Sequence, residues 1–291
     1  MYLSELKTGD QKTLDKPVDL RVLSLGAGVQ SSTLLFKFIN KEIQPVDVVI
    51  FSDTGNEPKS VYDWLDYLSS VMKDNDMEFH IVRSNENTGN IVNDYKSKTG
   101  RHALLPLHII RPSGKTGIAR RTCTYEYKIR PLHQWIRKHF DVKYLTGKHV
   151  EMVMGISYDE IARVNIPRDK WQVNCYPLVD NKIERSDCIA WMKEGGYGEP
   201  PRSACVICPY RSNKEWRYLK ETDHGAFHDA VEFDEYLRND EKGVGKEKFS
   251  SFVKNSKPFL YHGKIPLKEA DFSGELSYEP FDDECEGMCG V

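Results

Sequence analysis

Short apolar runs alternate with amphipathic stretches through the first half of the chain. Leu20 to Leu25 (LRVLSL) is largely apolar and ends in glycines, the pattern of a strand buried in a parallel sheet. Ser31 to Phe38 then carries apolar residues at helical spacing, with Ser31 or Ser32 able to cap its start. Val46 to Phe51 predicts a second buried strand, and Pro58 to Met72 a second helix with proline near its first turn. Phe79 to Val82 and Glu151 to Ile156 predict further strands. Strand and helix in alternation imply an α/β fold, a parallel twisted sheet with right-handed crossovers and helices on both faces. After about residue 165 the pattern changes to short helices between turns, Cys188–Met192 and Asn213–Glu221 among them. The expected organisation is an α/β domain over 1–165 and a smaller helical, cysteine-containing appendage over 166–291 that ends in an acidic tail.

Composition narrows the class. Hydrophobic residues make up 39% of the 291 and charged ones 29%, enough for a core and too apolar for a disordered chain. No apolar run approaches ~18 residues, so a transmembrane helix is not expected, and Met1 to Asp19 lacks the apolar stretch of a secretory signal. A net charge of −3, from 41 basic and 44 acidic residues, argues against a globally cationic nucleic-acid binder. Seven cysteines in a chain too long for a small disulfide scaffold fit reduced thiols in a cytoplasm, serving a metal or catalysis. The charge is unevenly spread: Lys98 to Arg130 holds eight basic residues against Glu126, and Leu267 to the end holds eight acids against Lys268. The basic stretch reads either as a phosphate-binding region or as a solvated loop.

The first strand leads into Ser24-Leu25-Gly26-Ala27-Gly28-Val29-Gln30-Ser31-Ser32-Thr33. Small residues let the backbone approach an anion, and N–H groups at the helix start point at it; the same string would also serve as a packing turn. No Gly-Lys-Ser/Thr closes the loop, so it is not a Walker A motif. Phe51-Ser52-Asp53-Thr54-Gly55-Asn56-Glu57-Pro58 ends the second strand, where an Asp can accept from a ribose or base or simply form a turn. Cys205-Val206-Ile207-Cys208-Pro209 is the sharpest metal signal, two thiols on one tight turn, with Cys123, Cys175 and Cys188 available to complete a site.

These segments together resemble the phosphoadenosine phosphosulfate (PAPS) reductase-like family of the PP-loop adenine-nucleotide alpha-hydrolase superfamily. The loop is similar to Ser-Gly-Gly-x-Asp-Ser, with Gly26 and Ala27 at the first Ser and Gly, and Gln30 at the Asp as in the PAPS reductase branch. Asp53-Thr54-Gly55 matches Asp-Thr-Gly-x-x-x-Pro, Pro58 coming one residue early, and Gly155-Ile156-Ser157-Tyr158-Asp159 resembles Gly-Ile-Arg-x-Asp/Glu. The resemblance implies that Ser24, Gly26, Gly28, Gln30, Ser31, Ser32, Asp53, Thr54, Gly55 and Gly155 bind an adenine nucleotide. It also makes Arg163 a phosphate ligand, or else a surface arginine.

Cys123 to Leu132 resembles the Cys-Cys-x-x-x-Lys-x-x-Pro-Leu stretch of iron–sulfur adenylylsulfate (APS) reductases, with Thr124 at the second Cys. The stretch from Arg185 through Cys188 to the Cys205 pair resembles a PAPS-reductase-like subgroup of bacteria and phages in which a Cys lies in that helix. The implied ligands are Cys123, Cys188, Cys205 and Cys208, holding a 4Fe-4S cluster or, with equal spacing, zinc; Cys175 is expected to be buried. Arg120, Arg121, Lys128 and Arg130 would then hold sulfate or phosphate and offset thiolate charge. In the tail, Glu284-Cys285-Glu286-Gly287 resembles Glu-Cys-Gly, whose Cys attacks the sulfonate sulfur, interrupted here by Glu286.

Three functions follow as expectations. In a sulfonucleotide reductase, Cys285 attacks APS or PAPS, and Cys289 or a thioredoxin-like reductant resolves the product. In an ATP-dependent sulfurtransferase or adenylating enzyme, similar to the DNA-phosphorothioation and tRNA-thiolation families, the loop holds ATP with magnesium and the partner is a nucleic acid. In a nucleotide sensor the fold is kept without turnover.

Overall fold

The computed structural model describes residues 17–85, 88–97, 103–140, 147–238 and 255–273. β1 (Leu20–Leu25), α1 (Val29–Ile39), β2 (Val48–Asp53), α2 (Lys59–Asp74) and β3 (Glu78–Arg83) follow in the order the apolar pattern predicts. After α3 (Ile91–Lys96) comes a hairpin of β4 (His108–Ile110) and β5 (Thr116–Ile118), then a π-helical turn (Tyr125–Ile129) that runs into α4 (Arg130–His139). β6 (Val150–Met154), β7 (Gln172–Cys175), α5 (Pro177–Asp180), α6 (Arg185–Glu194), α7 (Asn213–Thr222), α8 (His224–Arg238) and β8 (Lys257–Phe259) complete the order. None of the described helices is long and apolar enough to cross a membrane.

The main sheet is parallel throughout, in the order β3-β2-β1-β6-β7. Leu23 at its centre is paired with Val49 on one side and Val153 on the other. Leu23, Leu25, Val49, Phe51 and Val153 pack on one face with Leu34 and Leu35 of α1, Leu65 and Leu68 of α2, and Met192 of α6. Val22, Val48, Ile50 and Met152 pack on the other with Leu132 and Ile136 of α4. Strand side chains alternate in both directions, but helices cover both faces, so β1 and β2 read as continuous apolar runs. The chain builds outward from β1 to β3 and then returns to β6 beside β1. The strand order therefore reverses at β1/β6, the type of crevice at whose carboxyl ends open parallel sheets bind ligands.

A second, antiparallel sheet runs β5-β4-β8 and joins His108 to Phe259 across most of the chain. Its core combines Leu107, Ile109, Trp216, Leu219, Phe233 and Leu260. The two cores interleave in sequence: β7, beyond residue 165, is paired with β6 in the main sheet, while Ile91 to Tyr127 contributes to the second core. The change of pattern at 165 therefore does not coincide with a division between cores, because β4 takes its strand partner from the C-terminal part.

The C-terminal segment is anchored on α8 by Asp234, which is fully buried. Its carboxylate accepts from the Leu260 and Leu267 N–H groups, each at 2.8 Å, and from Arg238 Nη2 at 2.6 Å. Asp234→Ala leaves these donors without their carboxylate and should cost about 3–5 kcal/mol. The expected result is a lower urea midpoint; an unchanged midpoint would show that the segment is held by apolar contacts alone.

Candidate nucleotide and cysteine site

The loop after β1 is shaped by its own backbone. Ala27, wholly buried, takes the left-handed conformation (φ +60°), and Gly28 is the extended N-cap of α1 with no side-chain cap. The hydroxyls expected as donors brace the turn. Ser31 Oγ accepts from Gly26 N at 3.1 Å, Ser32 Oγ accepts from Trp64 Nε1 at 3.0 Å, and Thr33 Oγ1 donates to Val29 O at 2.9 Å. The donors available to a ligand here are the N–H groups at the start of α1. Gly155 lies directly against this loop: a Cβ there would sit 2.7 Å from Ser31 N and 2.9 Å from its Cα.

Gln30 is wholly buried, and both ends of its amide are engaged. Nε2 donates to Glu160 Oε2 at 3.1 Å and Ser157 Oγ at 3.4 Å, and Oε1 accepts from Arg185 at 2.9 Å. Glu160 in turn accepts from Arg163 at 2.6 Å. Gln30 and Arg163 thus belong to one relay at the β1/β6 crevice, completed by Arg185. Nothing in the sequence marks Arg185, since the contact spans 155 residues and begins at the first turn of α6.

Asp53 is likewise engaged on both oxygens. One accepts from Gly55 N at 2.7 Å and Tyr62 Oη at 3.0 Å, the other from Arg83 Nε at 2.8 Å and Nη2 at 2.5 Å. Burial, then Asp53, pushes the Tyr62 phenol well above its usual range. Asp53 therefore shapes the turn, in which Gly55 is left-handed (φ +69°). Thr54 faces the cysteines, its hydroxyl 3.2 Å from Cys205 Sγ and donating to Glu57 Oε1 at 2.9 Å.

The Cys205–Cys208 turn docks on that same loop. Val206 N donates to Asn56 O at 2.7 Å, Ile207 N to Asn56 Oδ1 at 3.3 Å, and Cys208 N closes the turn on Cys205 O at 3.0 Å. Beneath it lies Arg211, a buried cation whose Nη2 donates to Ala204 O (2.8 Å) and Cys205 O (3.0 Å). Burial, with Arg202 nearby, lowers Arg211 to about 10, and the two thiols and Glu57 act the other way. Burial, then Glu57, pushes the Cys205 thiol well above its usual range, while Lys128 and the Thr54 hydroxyl pull it down.

Lys128 connects the two halves. It sits in the π-helical turn, a widened turn common at functional sites, and is buried. With Ser24, Leu25, Gly26, Phe51 and Ser52 it lines a small recess beside the loop. Ser52 Oγ donates to its carbonyl at 2.9 Å.

Of the four expected metal ligands, Cys123 and Cys205 pack against one apolar cluster, and Cys208 closes the turn beside them. Arg121, 5.7 Å above the Tyr210 ring, ties the Cys123 segment to that turn. Cys188 does not join them. It is wholly buried in the other core, with Leu34, Leu178 and Met192, because α6 packs that face on α1. Cys175 is partly buried at the end of β7, and burial raises it to about 11. Buried Arg211, whose Nε has no hydrogen-bond partner among the described residues, and buried Lys128 fit a net-negative thiolate centre held by Cys123, Cys205 and Cys208. Among the described residues those three sulfurs do not converge within 4.8 Å of one another, the spacing a single zinc would favour. Arg120 is exposed, and Arg130 donates to Glu126 at 3.1 Å. Cys285 and Cys289 lie outside the described residues.

No family model and no curated protein matches the chain. Among solved structures it is similar to the PAPS reductase from Candida auris in its phosphate complex, at 14% identity and a TM-score of 0.40, over 68% of this chain and 80% of that one. It is also similar to the U34-tRNA thiolase from Methanococcus maripaludis with its 4Fe-4S cluster, at 13% identity and a TM-score of 0.38, over 81% and 78%. The fold itself, set by the parallel sheet order β3-β2-β1-β6-β7 and the helices packed on its two faces, is an α/β fold.

Gly155→Ala forces a methyl group into the backbone of the loop and should cost about 1–3 kcal/mol. Adenine-nucleotide affinity, measured by calorimetry, is expected to fall with it. Gly225→Ala on α8, where the nearest atom to the new methyl is 3.8 Å away, is the control expected to do neither. A Gly155→Ala protein with parental stability and affinity would show that this close approach is not needed.

Proposed function

We propose that the chain is a PAPS reductase-like enzyme of the PP-loop superfamily that binds an adenine nucleotide or sulfonucleotide and carries out sulfur chemistry. The observation that supports this most is the position of Lys128, which lines the recess beside the loop and also acts on the Cys205 thiol. An anionic group held at the start of α1 would share its cation with the cysteine centre. Cys123, Cys205 and Cys208 would hold an iron–sulfur centre, which when bound supplies electron or sulfide handling.

The reaction proposed is reductive release of sulfite from PAPS or APS. Arg120, Arg121, Lys128 and Arg130 would neutralise the sulfate and phosphate, and Arg163 would hold Glu160 and Gln30 in place. The Cys285 thiolate attacks the sulfonate sulfur, forming an S–S bond as the S–O bond to the nucleotide phosphate breaks. Cys289, or a thioredoxin-like dithiol, then attacks Cys285 Sγ, so that sulfite leaves and a disulfide remains. The carboxylates around Cys285 disfavour its thiolate, and the basic segment would be needed to restore it.

A second reading, ATP-dependent sulfur transfer to a nucleic acid with magnesium, draws on the exposed cations beside the cysteines. Anaerobic protein assayed with PAPS, APS and ATP separates the two. Under the reductase reading Cys285→Ser abolishes sulfite release, since a serine hydroxyl is a poor nucleophile towards sulfur, and Cys289→Ser leaves a single turnover. Cys205→Ser should lose any bound iron and Cys188→Ser should not. Normal multiple turnover by Cys285→Ser would exclude the reductase mechanism, and pyrophosphate release from ATP would favour transfer.

A further inference from the structure

The β4–β5 hairpin carries exposed cations and no acid. Residues 103–125 contain no acid, and within them Arg111, Lys115 and Arg120 are exposed. The register places exposed Lys257 at the same end of the small sheet as the hairpin tip, since Ile110 is paired with both Thr116 and Lys257. Several arginines elsewhere are matched by acids: Arg83 by Asp53, Arg130 by Glu126, Arg163 by Glu160, Arg238 by Asp234. Arg111, Lys115, Arg120 and Lys257 form no ion pair with any described residue.

The root of the hairpin is at the cysteine centre. His108 is within hydrogen-bond distance of Pro209 O at 3.1 Å, next to Cys208, and Arg121 lies over Tyr210. The irregular segment after β5 leads through Arg120 and Arg121 to Cys123, and the following π-helical turn carries Lys128. A three-residue strand spans roughly 10 Å, so the cations form a track from the tip to the recess. Tyr125, two residues past Cys123, is 43% exposed and offers an aromatic face beside that track.

We propose that this track is a docking surface for a single-stranded nucleic acid, with its phosphates on Arg111, Lys115, Lys257 and Arg120 and a base stacked on Tyr125. A surface of cations with an adjacent exposed aromatic is the chemistry that holds a single strand without reading its sequence. The surface accords with the transfer reading of the site. Its test reads binding and not turnover, so failure of one is distinguishable from failure of the other.

The full-length protein is titrated into a fluorescein-labelled 15-nucleotide single strand, DNA and RNA in turn, with anisotropy read across salt concentrations. Binding is expected at 50 mM salt, weakening steeply as salt rises. Arg111→Ala with Lys115→Ala should lower the slope of log K against log salt by about 1.4. Tyr125→Ala should weaken binding about tenfold with the salt slope unchanged. Adenine-nucleotide affinity of the Arg111/Lys115 variant should equal that of the parent, which also reports that the variant is folded. A parent that binds neither strand at 50 mM salt, or a double variant with the parental slope, would overturn the proposal. So would a poly-glutamate peptide that displaces the strand as well as unlabelled oligonucleotide does, since the surface would then suit an acidic protein segment.

Discussion

The hydrogen bonds that seat the Cys205 turn on the loop after β2 are the interaction on which the rest depends. Val206 N to Asn56 O and Ile207 N to Asn56 Oδ1 fix a segment from the second core onto the carboxyl edge of the main sheet. Open parallel sheets bind ligands at that edge, and the contact brings the Cys205–Cys208 turn to it, beside the loop after β2. The loop it docks on is held by Asp53, which gathers Gly55, Tyr62 and Arg83.

Charge around the thiols is arranged in opposition. Burial and Glu57 disfavour the Cys205 thiolate, while Lys128 and the Thr54 hydroxyl favour it. Arg211 adds a buried cation under the turn, tied to the backbone and stacked 5.7 Å from the Trp216 ring. A buried cation is costly when it lacks an anionic neighbour. Glu57 is one anionic neighbour, and deprotonated thiols, alone or joined to a metal centre, would supply the rest.

Much of this was legible in the sequence because both faces of the main sheet are covered. LRVLSL and VDVVIF read as strands, and β1 is found at Leu20–Leu25 and β2 at Val48–Asp53. The glycine-rich turn between β1 and α1 was equally clear. What was hidden depends on contacts between distant segments. Strand β7 lies past the change of pattern at residue 165, and β4 is three residues long, with a partner about 150 residues away. Asp53, Gln30 and Ser31 have residue types suited to holding a ligand, yet their polar atoms hold the protein to itself. Cys188 has a metal ligand's chemistry in an apolar layer, and only the packing of α6 on α1 decides between the two. Lys128 was named for its charge, but its place between recess and thiol follows from the π-helical turn.

That the recess beside the loop and the cysteine turn act as one site is tested most directly by Lys128→Met. The measurements are PAPS and ATP affinity by calorimetry and the alkylation rate of Cys205 at a fixed pH near 8. If Lys128 serves both, the affinities fall and alkylation slows together, because the thiol loses the cation that pulls it towards the thiolate. A variant that keeps parental nucleotide affinity while only the thiol changes, or the reverse, would contradict a shared site.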